Sequence, residues 1–326
     1  MAGLTIWTNH DFRPEALARL QAGLAAAGHR LLYSPKATPH VLAAGRADPL
    51  LAEADIAYGQ PVVEDAMRLP RLRWVALSSA GYTRYDRDDF RAALRARGAV
   101  ATNASQVFAD PCAHHLLAQM LALARNLPAQ VLNQHGPREW RYLEDRFTNG
   151  VLTGQCFLLL GYGAIGRRLA ELLQPFGGRI IAYRRRPTGD EGVEVVTDAG
   201  LPAALAVADH VCNVLPDSDA TKRFVNAARL AQMKPGARLY NVGRGETVDQ
   251  PALITALESG HVGAAYLDAL DPEPLPPDHP LWAARNCHIT CHIGGGTRDQ
   301  DDKLARHFLD NLRRFERGET LVDRIV

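Results

Sequence analysis

The sequence predicts an α/β protein made of two doubly wound parallel sheets, one domain inserted into the other. Three observations carry that prediction. Short apolar runs of buried-strand type alternate with alanine- and leucine-rich helical patterns nearly throughout, as expected of parallel strands joined by crossover helices. The 326 residues suffice for about two domains, each with its own core. The strand series also begins twice, near the N-terminus and again from Gln155, with a long apolar helix between.

The first series reads LTIWTN, HRLLYS, IAYG and RWVALSS, separated by helices such as PEALARLQAGLAAAG. DPCAHHLLAQMLALARNLPAQVL follows as one long helix, and then NQHGPREWRYLEDRFTNG, expected to be a mobile stretch. The second series is CFLLLG, RIIAYR, HVCNVL, ARLYNV, GAAYLD and CHITCHI. A last helix covers about residues 298–317, and the tail LVDRIV is expected to form one more strand that returns to the first domain. The domains are thus expected at 1–103 with 297–326, and at 104–296. Ligands should bind in the cleft between them, at the carboxyl ends of the strands.

Composition narrows the function. Basic and acidic side chains number 37 and 36, so the basic footprint of a nucleic-acid binder is absent. No stretch approaches the roughly 20 apolar residues of a membrane span, and the opening MAGLTIWTNHDFRPE lacks the basic start and apolar core of a signal peptide. The cysteines (Cys112, Cys156, Cys212, Cys287, Cys291) are odd in number and lack paired metal-ligand spacing. Reduced thiols, a cytoplasmic location and no metal are expected.

In QCFLLLGYGAIGRRLAELL, a buried-type strand runs into Gly161, Gly163 and Gly166 and then into a helix with apolar Ile165, Leu169, Leu172 and Leu173. Three glycines so spaced let the chain turn sharply, let a pyrophosphate approach the backbone and let helix and strand pack closely. The first-turn N–H groups of that helix, at Ala164 and Ile165, would face the anion. A purely structural turn is the alternative. At the end of the next strand, where an Asp or Glu would bind the ribose hydroxyls of NAD, the chain instead carries Arg184, Arg185 and Arg186. Guanidinium groups attract a 2′-phosphate through paired, charge-assisted hydrogen bonds. NADP(H) is therefore preferred, with NAD(H) possible; a solvated basic turn is the bland reading.

Three further segments place reactive side chains at strand ends: NVGRG with Arg244, LDALDPEP with Asp268, Asp271 and Glu273, and TCHIGGGT with His292. A 2-keto acid offers a carboxylate beside a carbonyl, which the planar arginine fork can hold without losing its charge. A histidine can give a proton in one direction and take it in the other. A carboxylate on its far ring nitrogen would orient it.

These residues, with GYGAIG, MKPGARLYNVGRGETVDQPALITALESGHVGAAYLDALDPEPL and CHIGGGT in order, make the sequence resemble the D-isomer-specific 2-hydroxyacid dehydrogenase family from about Ala76 to Arg317. The resemblance implies a Rossmann cofactor domain inserted in a flavodoxin-like substrate domain. It implies Arg244 as substrate clamp, Glu273 as its acidic partner and His292 as acid/base, with Asp268 near the nicotinamide carboxamide. Leu215, Pro216, Val242 and Gly294 are implied to line the cofactor, and Ala80 and Gly81, in VALSSAGYTRYD, to receive the substrate carboxylate beside Arg244 and His292. Trp140 lies in the family's dimer arm, where some reductases send an aromatic to the neighbouring active site, so a homodimer is expected. Departures from the family pattern are Cys291 for a proline, His114 for a glutamate, Tyr82-Thr83 for Val-Asp, and ALD before PEP. The implied activity is hydride transfer between NADP(H) and a small 2-keto or D-2-hydroxy acid, of the glyoxylate/hydroxypyruvate reductase kind. A nucleotide-sensing scaffold of the same fold, like the family's co-repressors, is the second reading, and a methyltransferase using the same glycine turn a distant third.

Overall fold

The apolar runs become parallel strands of two separate sheets in the computed structural model, which describes residues 3–38 and 43–326. By its internal contacts the chain divides into two compact units, Met1–Phe108 with Thr297–Val326, and Ala109–Gly296.

In the first unit, β1 (Thr5–His10), β2 (Arg30–Thr38), β3 (Ile56–Gly59), β4 (Trp74–Leu77) and β5 (Val100–Thr102) form a parallel sheet in the order β2-β1-β3-β4-β5. β1, β3 and β4 are buried along their whole length, as strands covered on both faces must be. The helices are α1 (Pro14–Ala26), α2 (Val63–Arg68), α3 (Asp88–Ala96) and, from the C-terminal segment, the long helix Gln300–Arg317. That last helix buries Leu304, Ala305, Phe308 and Leu312 along one face. Phe308 stacks on Tyr58 and Trp74, with ring centroids 4.2 and 5.2 Å apart.

The tail expected as a strand is not one. It makes a single antiparallel bridge, Thr102 to Arg324. Asn311 binds the backbone of Val322 on both sides, and Asp323 turns left-handed with φ of 58°. Such a residue breaks the extended run a ladder needs.

The chain then passes through α4 (Ser105–Ala124), α5 (Leu127–His135) and α6 (Tyr142–Arg146). The single long helix of the sequence reading is broken at Asn126, whose left-handed φ of 55° ends the helical run; Pro128 then falls in the first turn of a new helix, where its missing N–H costs no internal hydrogen bond. The stretch read as mobile contains α6. The unit boundary falls inside α4, a few residues beyond the expected one.

The second unit alternates β6 (Cys156–Leu160), α7 (Ala164–Leu173), β7 (Arg179–Tyr183), β8 (Glu194–Val196), α8 (Leu201–Val207), β9 (His210–Asn213), α9 (Ala227–Gln232), β10 (Ala237–Asn241), α10 (Gln250–Glu258), β11 (Val262–Leu267) and β12 (Cys287–Ile289). Its parallel sheet has the order β12-β11-β10-β9-β6-β7-β8, and α11 is the C-terminal helix already described. β5 and β8, three residues each, are not among the expected strands. The strand order reverses between β6 and β9, and ligands of such sheets bind where the order reverses. The core of this unit packs Leu158, Leu160, Ile181, Val211, Leu239 and Leu267 from its central strands. Among the described residues no helix is long and apolar enough to cross a membrane.

Candidate active site

The glycine turn lies at this switch point, and its three glycines do three different things. Gly161 ends β6 with φ of 102°, a conformation L side chains rarely adopt. Gly166 lets α7 settle on the strand, since a Cβ there would lie 2.5 Å from the Gly161 carbonyl oxygen. Gly163 caps α7 and has nothing within 4 Å of where a Cβ would stand. That open ground lies beside the N–H groups of Ala164 and Ile165, which a helix's first turn leaves without internal partners. The donor set and the space in front of it suit a pyrophosphate. On the adjoining strand ends, Leu215 and Val242 are buried and Pro216 is exposed. A Cβ on Gly243 would fall 2.6 Å from the Leu215 carbonyl, so the loops after β9 and β10 touch.

Past β7, Arg185 and Arg186 are exposed, whereas Arg184 donates from Nη1 to Glu191 Oε1 at 2.9 Å. This partner, seven residues along a loop, left no mark in the sequence reading.

Arg244, Glu273 and His292 stand just beyond the ends of β10, β11 and β12, three neighbouring strands. His292 Nδ1 lies 2.8 Å from Glu273 Oε2, while Glu273 Oε1 accepts the Leu270 N–H at 2.8 Å. An ionised carboxylate can only accept, so Nδ1 carries a hydrogen and Nε2 is left to give or take a proton. Burial opposes charge on Glu273, but the hydrogen bond from His292, the Leu270 N–H and the Arg244 charge outweigh it and hold the carboxyl below its ordinary range. Burial draws the Arg244 guanidinium down, against the pull of Glu273 and Asp217; from so high a starting value it remains a cation at neutral pH.

Two backbone devices bring Arg244 to Glu273. Asn241, fully buried, donates to the carbonyls of Arg244 (3.1 Å) and Ala269 (3.0 Å) and accepts from the Gly243 N–H. Gly245 lets the two loops meet, because a Cβ there would lie 1.9 Å from the Leu270 carbonyl. His292 itself is held with φ of 53°, its N–H donating to the Asp268 carbonyl at 3.0 Å. A non-glycine residue keeps such a conformation only where its surroundings enforce it.

Comparison with known proteins gives the family. The family model described as D-isomer specific 2-hydroxyacid dehydrogenase, NAD binding domain, matches residues 117–294. The chain belongs to the D-isomer specific 2-hydroxyacid dehydrogenase family. It is 33% identical over 285 residues to glyoxylate/hydroxypyruvate reductase B of Yersinia pestis (strain Pestoides F), covering 86% of this chain and 84% of the relative. Among solved structures, a D-isomer specific 2-hydroxyacid dehydrogenase from Xanthobacter autotrophicus Py2 in complex with NADPH and MES superposes with a TM-score of 0.80 at 28% identity, over 100% of this chain and 98% of that one. An NADPH-dependent glyoxylate/hydroxypyruvate reductase from Sinorhizobium meliloti, in complex with NADP and malonate, gives 0.73 at 25% identity, over 100% and 97%.

As a member of this family the chain is an NAD(P)-dependent oxidoreductase, and its structure shows what several of the expected residues are bonded to. Asp268, implied near the nicotinamide, is 3% exposed and spends both carboxylate oxygens locally. Oδ1 accepts from the Ile293 N–H (2.9 Å) and the Thr290 hydroxyl (2.6 Å), and Oδ2 from the Gly294 N–H (2.9 Å). The dehydrogenase thus uses Asp268 to hold the turn that carries His292 and Gly294. His114, noted for replacing a glutamate, is exposed and bonds back to Asp110. Its neighbour His115 is the one facing the site, with Nε2 2.6 Å from the Tyr266 hydroxyl and 3.3 Å from Thr290 Oγ1. Helical phase could have found it, since Cys112, His115 and Leu116 continue the buried face of Ala109, Ala113 and Met120. In the first unit, Ala80 and Gly81 follow β4 in a loop whose carbonyls are tied back, that of Ala80 by Asn103 Nδ2 (2.6 Å) and that of Gly81 by the Ser79 hydroxyl (2.6 Å).

Proposed function

We propose that this dehydrogenase is an NADPH-preferring reductase of small 2-keto acids, with glyoxylate and hydroxypyruvate its first substrates and D-2-hydroxy acids its products. The observation that carries the reading is the His292–Glu273 pair at 2.8 Å beside the Arg244 strand end. Names of similar proteins support the substrate class, and the arginines after β7 in place of a carboxylate support the 2′-phosphorylated cofactor.

The bound nicotinamide would supply the hydride. Arg244 would hold the substrate's carboxylate and carbonyl oxygen through its planar fork. His292 Nε2 would deliver the proton to the carbonyl oxygen as negative charge develops there, while Glu273 fixes Nδ1 and so the orientation of the ring. The turn from Gly161 to Gly166, with Ala164 and Ile165, would hold the pyrophosphate, Arg185 the 2′-phosphate, and Leu215, Pro216, Val242 and Gly294 the remaining cofactor surface.

Steady-state consumption of NADPH and NADH over a panel of 2-keto acids tests this. Turnover of glyoxylate or hydroxypyruvate, faster with NADPH, is expected. Tight nucleotide binding without turnover of any 2-keto acid would refute it and favour a sensing scaffold.

The reading extends to assembly as a homodimer in the cytoplasm. The arm from α5 through α6 exposes Leu132, Trp140, Leu143 and Phe147, with Trp140 94% accessible. Large apolar side chains left this exposed on one arm suit an interface. Light scattering should return twice the 35.6 kDa chain mass, and a monomer unaffected by Leu143→Lys would sink the dimer.

A further inference from the structure

The eight residues Arg184–Glu191 leave β7 and return toward β8 around Pro187 and Gly189, and nothing in such a sequence fixes their shape by itself. A single side chain does so. Glu191, 3% exposed at its side chain, gathers donors from across the loop onto its carboxylate. These are the Thr188 N–H at 2.6 Å, the Gly189 N–H at 2.9 Å, the Thr188 hydroxyl at 2.8 Å and Arg184 Nη1 at 2.9 Å. Its main chain is anchored as well, because the buried Tyr162 hydroxyl donates to the Glu191 carbonyl at 3.1 Å. Tyr162 stands between Gly161 and Gly163. The loop with the arginines is therefore fastened to the turn proposed to hold the pyrophosphate. A second, looser strap lies alongside. The Arg167 guanidinium sits over the Tyr162 ring, 5.3 Å from its centroid, and reaches Asp190 at 3.9 Å.

Resting on the reading of this unit as an NADP(H) site, we propose that Glu191 is a positioning residue for cofactor discrimination. It takes Arg184 as its own counter-ion, fixes the loop against Tyr162, and leaves Arg185 as the cation that meets the 2′-phosphate. The electrostatics follow from the geometry. A 2′-phosphate drawn to Arg184 would also meet a buried carboxylate 2.9 Å from that guanidinium, whereas Arg185 is exposed. The Thr188 N–H and the other donors hold the Glu191 carboxyl at about 2, so the latch stays ionised at any pH at which the enzyme would work.

Equilibrium titration separates this arrangement from its alternatives without turnover. The ligands are NADPH and NADH, with 2′,5′-ADP and 5′-AMP as probes that differ only in the 2′-phosphate. Glu191→Gln should weaken NADPH and 2′,5′-ADP at least fivefold and leave NADH and 5′-AMP within twofold; Arg185→Gln should weaken the 2′-phosphorylated pair at least tenfold. Arg184→Gln combined with Glu191→Gln should be no worse than Glu191→Gln alone, and Tyr162→Phe should shift the same pair in the same direction. Tighter NADPH binding by Glu191→Gln would overturn the proposal, because a freed Arg184 would then be the phosphate ligand and Glu191 its competitor. Parallel losses for both ligand pairs, or no change, would overturn it too. Wild-type protein that binds none of the four would instead remove the dinucleotide reading, and the latch with it.

Discussion

Replacing Glu273 with glutamine removes one charge and almost no volume from beside His292, and the size of its effect can be worked from the structure. The carboxylate oxygen lies 2.8 Å from Nδ1, and its side chain is 33% exposed. Opposite charges about 4 Å apart at an effective dielectric constant near 20 attract by ~4 kcal/mol. Solvent at the exposed third weakens that, and charge-assisted hydrogen bonds are measured at about 1.5–3 kcal/mol. A loss of about 2 kcal/mol corresponds to a roughly 30-fold lower rate at ~1.4 kcal/mol per decade. The same carboxylate makes no direct contact with the glycine turn, so the loss should fall on kcat with the proposed 2-keto acid. Cofactor affinity should hold within about twofold. Initial rates of NADPH oxidation, paired with a cofactor titration, measure both. A variant within threefold of the parent in kcat, or one whose whole deficit lies in cofactor binding, would refute the assignment of Glu273 as the partner of the acid/base.

Three other outcomes are expected. His292→Ala should abolish turnover while cofactor affinity stays near that of the parent; unchanged turnover would remove His292 from the chemistry. Gly245→Ala places a Cβ 1.9 Å from the Leu270 carbonyl, and forcing the loops apart should cost roughly 1–3 kcal/mol, lowering Tm by about 3–10 °C in a calorimeter and separating Arg244 from Glu273. His210, fully buried between Phe157 and Tyr240, is pushed down to about 3, mainly by burial. Its unfolded form protonates near pH 6.5 while the folded form stays neutral, so stability present above pH 6.5 is lost as pH falls toward 3. Between pH 7 and pH 5.5 this group alone should cost about 1 kcal/mol in denaturant titrations, and His210→Gln should flatten that part of the slope.

Much of this protein could be read from residue order alone. Parallel strands buried on both faces must be continuous apolar runs, so β1, β3, β4, β6, β7 and β9 through β11 announced themselves. The spacing of Gly161, Gly163 and Gly166 stated a turn, an open approach and a close contact before any of them was seen. Arg244, Glu273 and His292 were legible because their side-chain chemistry suits one reaction and each follows a strand. β5, β8, the bridge made by the tail and the break at Asn126 lay below that resolution.

What each reactive group is bound to was decided only by folding. Arg184 looked like its two neighbours until Glu191 took it; nothing in the order of residues told that the Ile293 and Gly294 N–H groups would donate to Asp268; His114 and His115 differed only in helical phase. Residue type sets which bonds a side chain can make, and that is local information. Which donors reach it depends on segments brought together from 7 to more than 150 positions away. Periodicity cannot encode those meetings, because each is the outcome of how the whole unit packs.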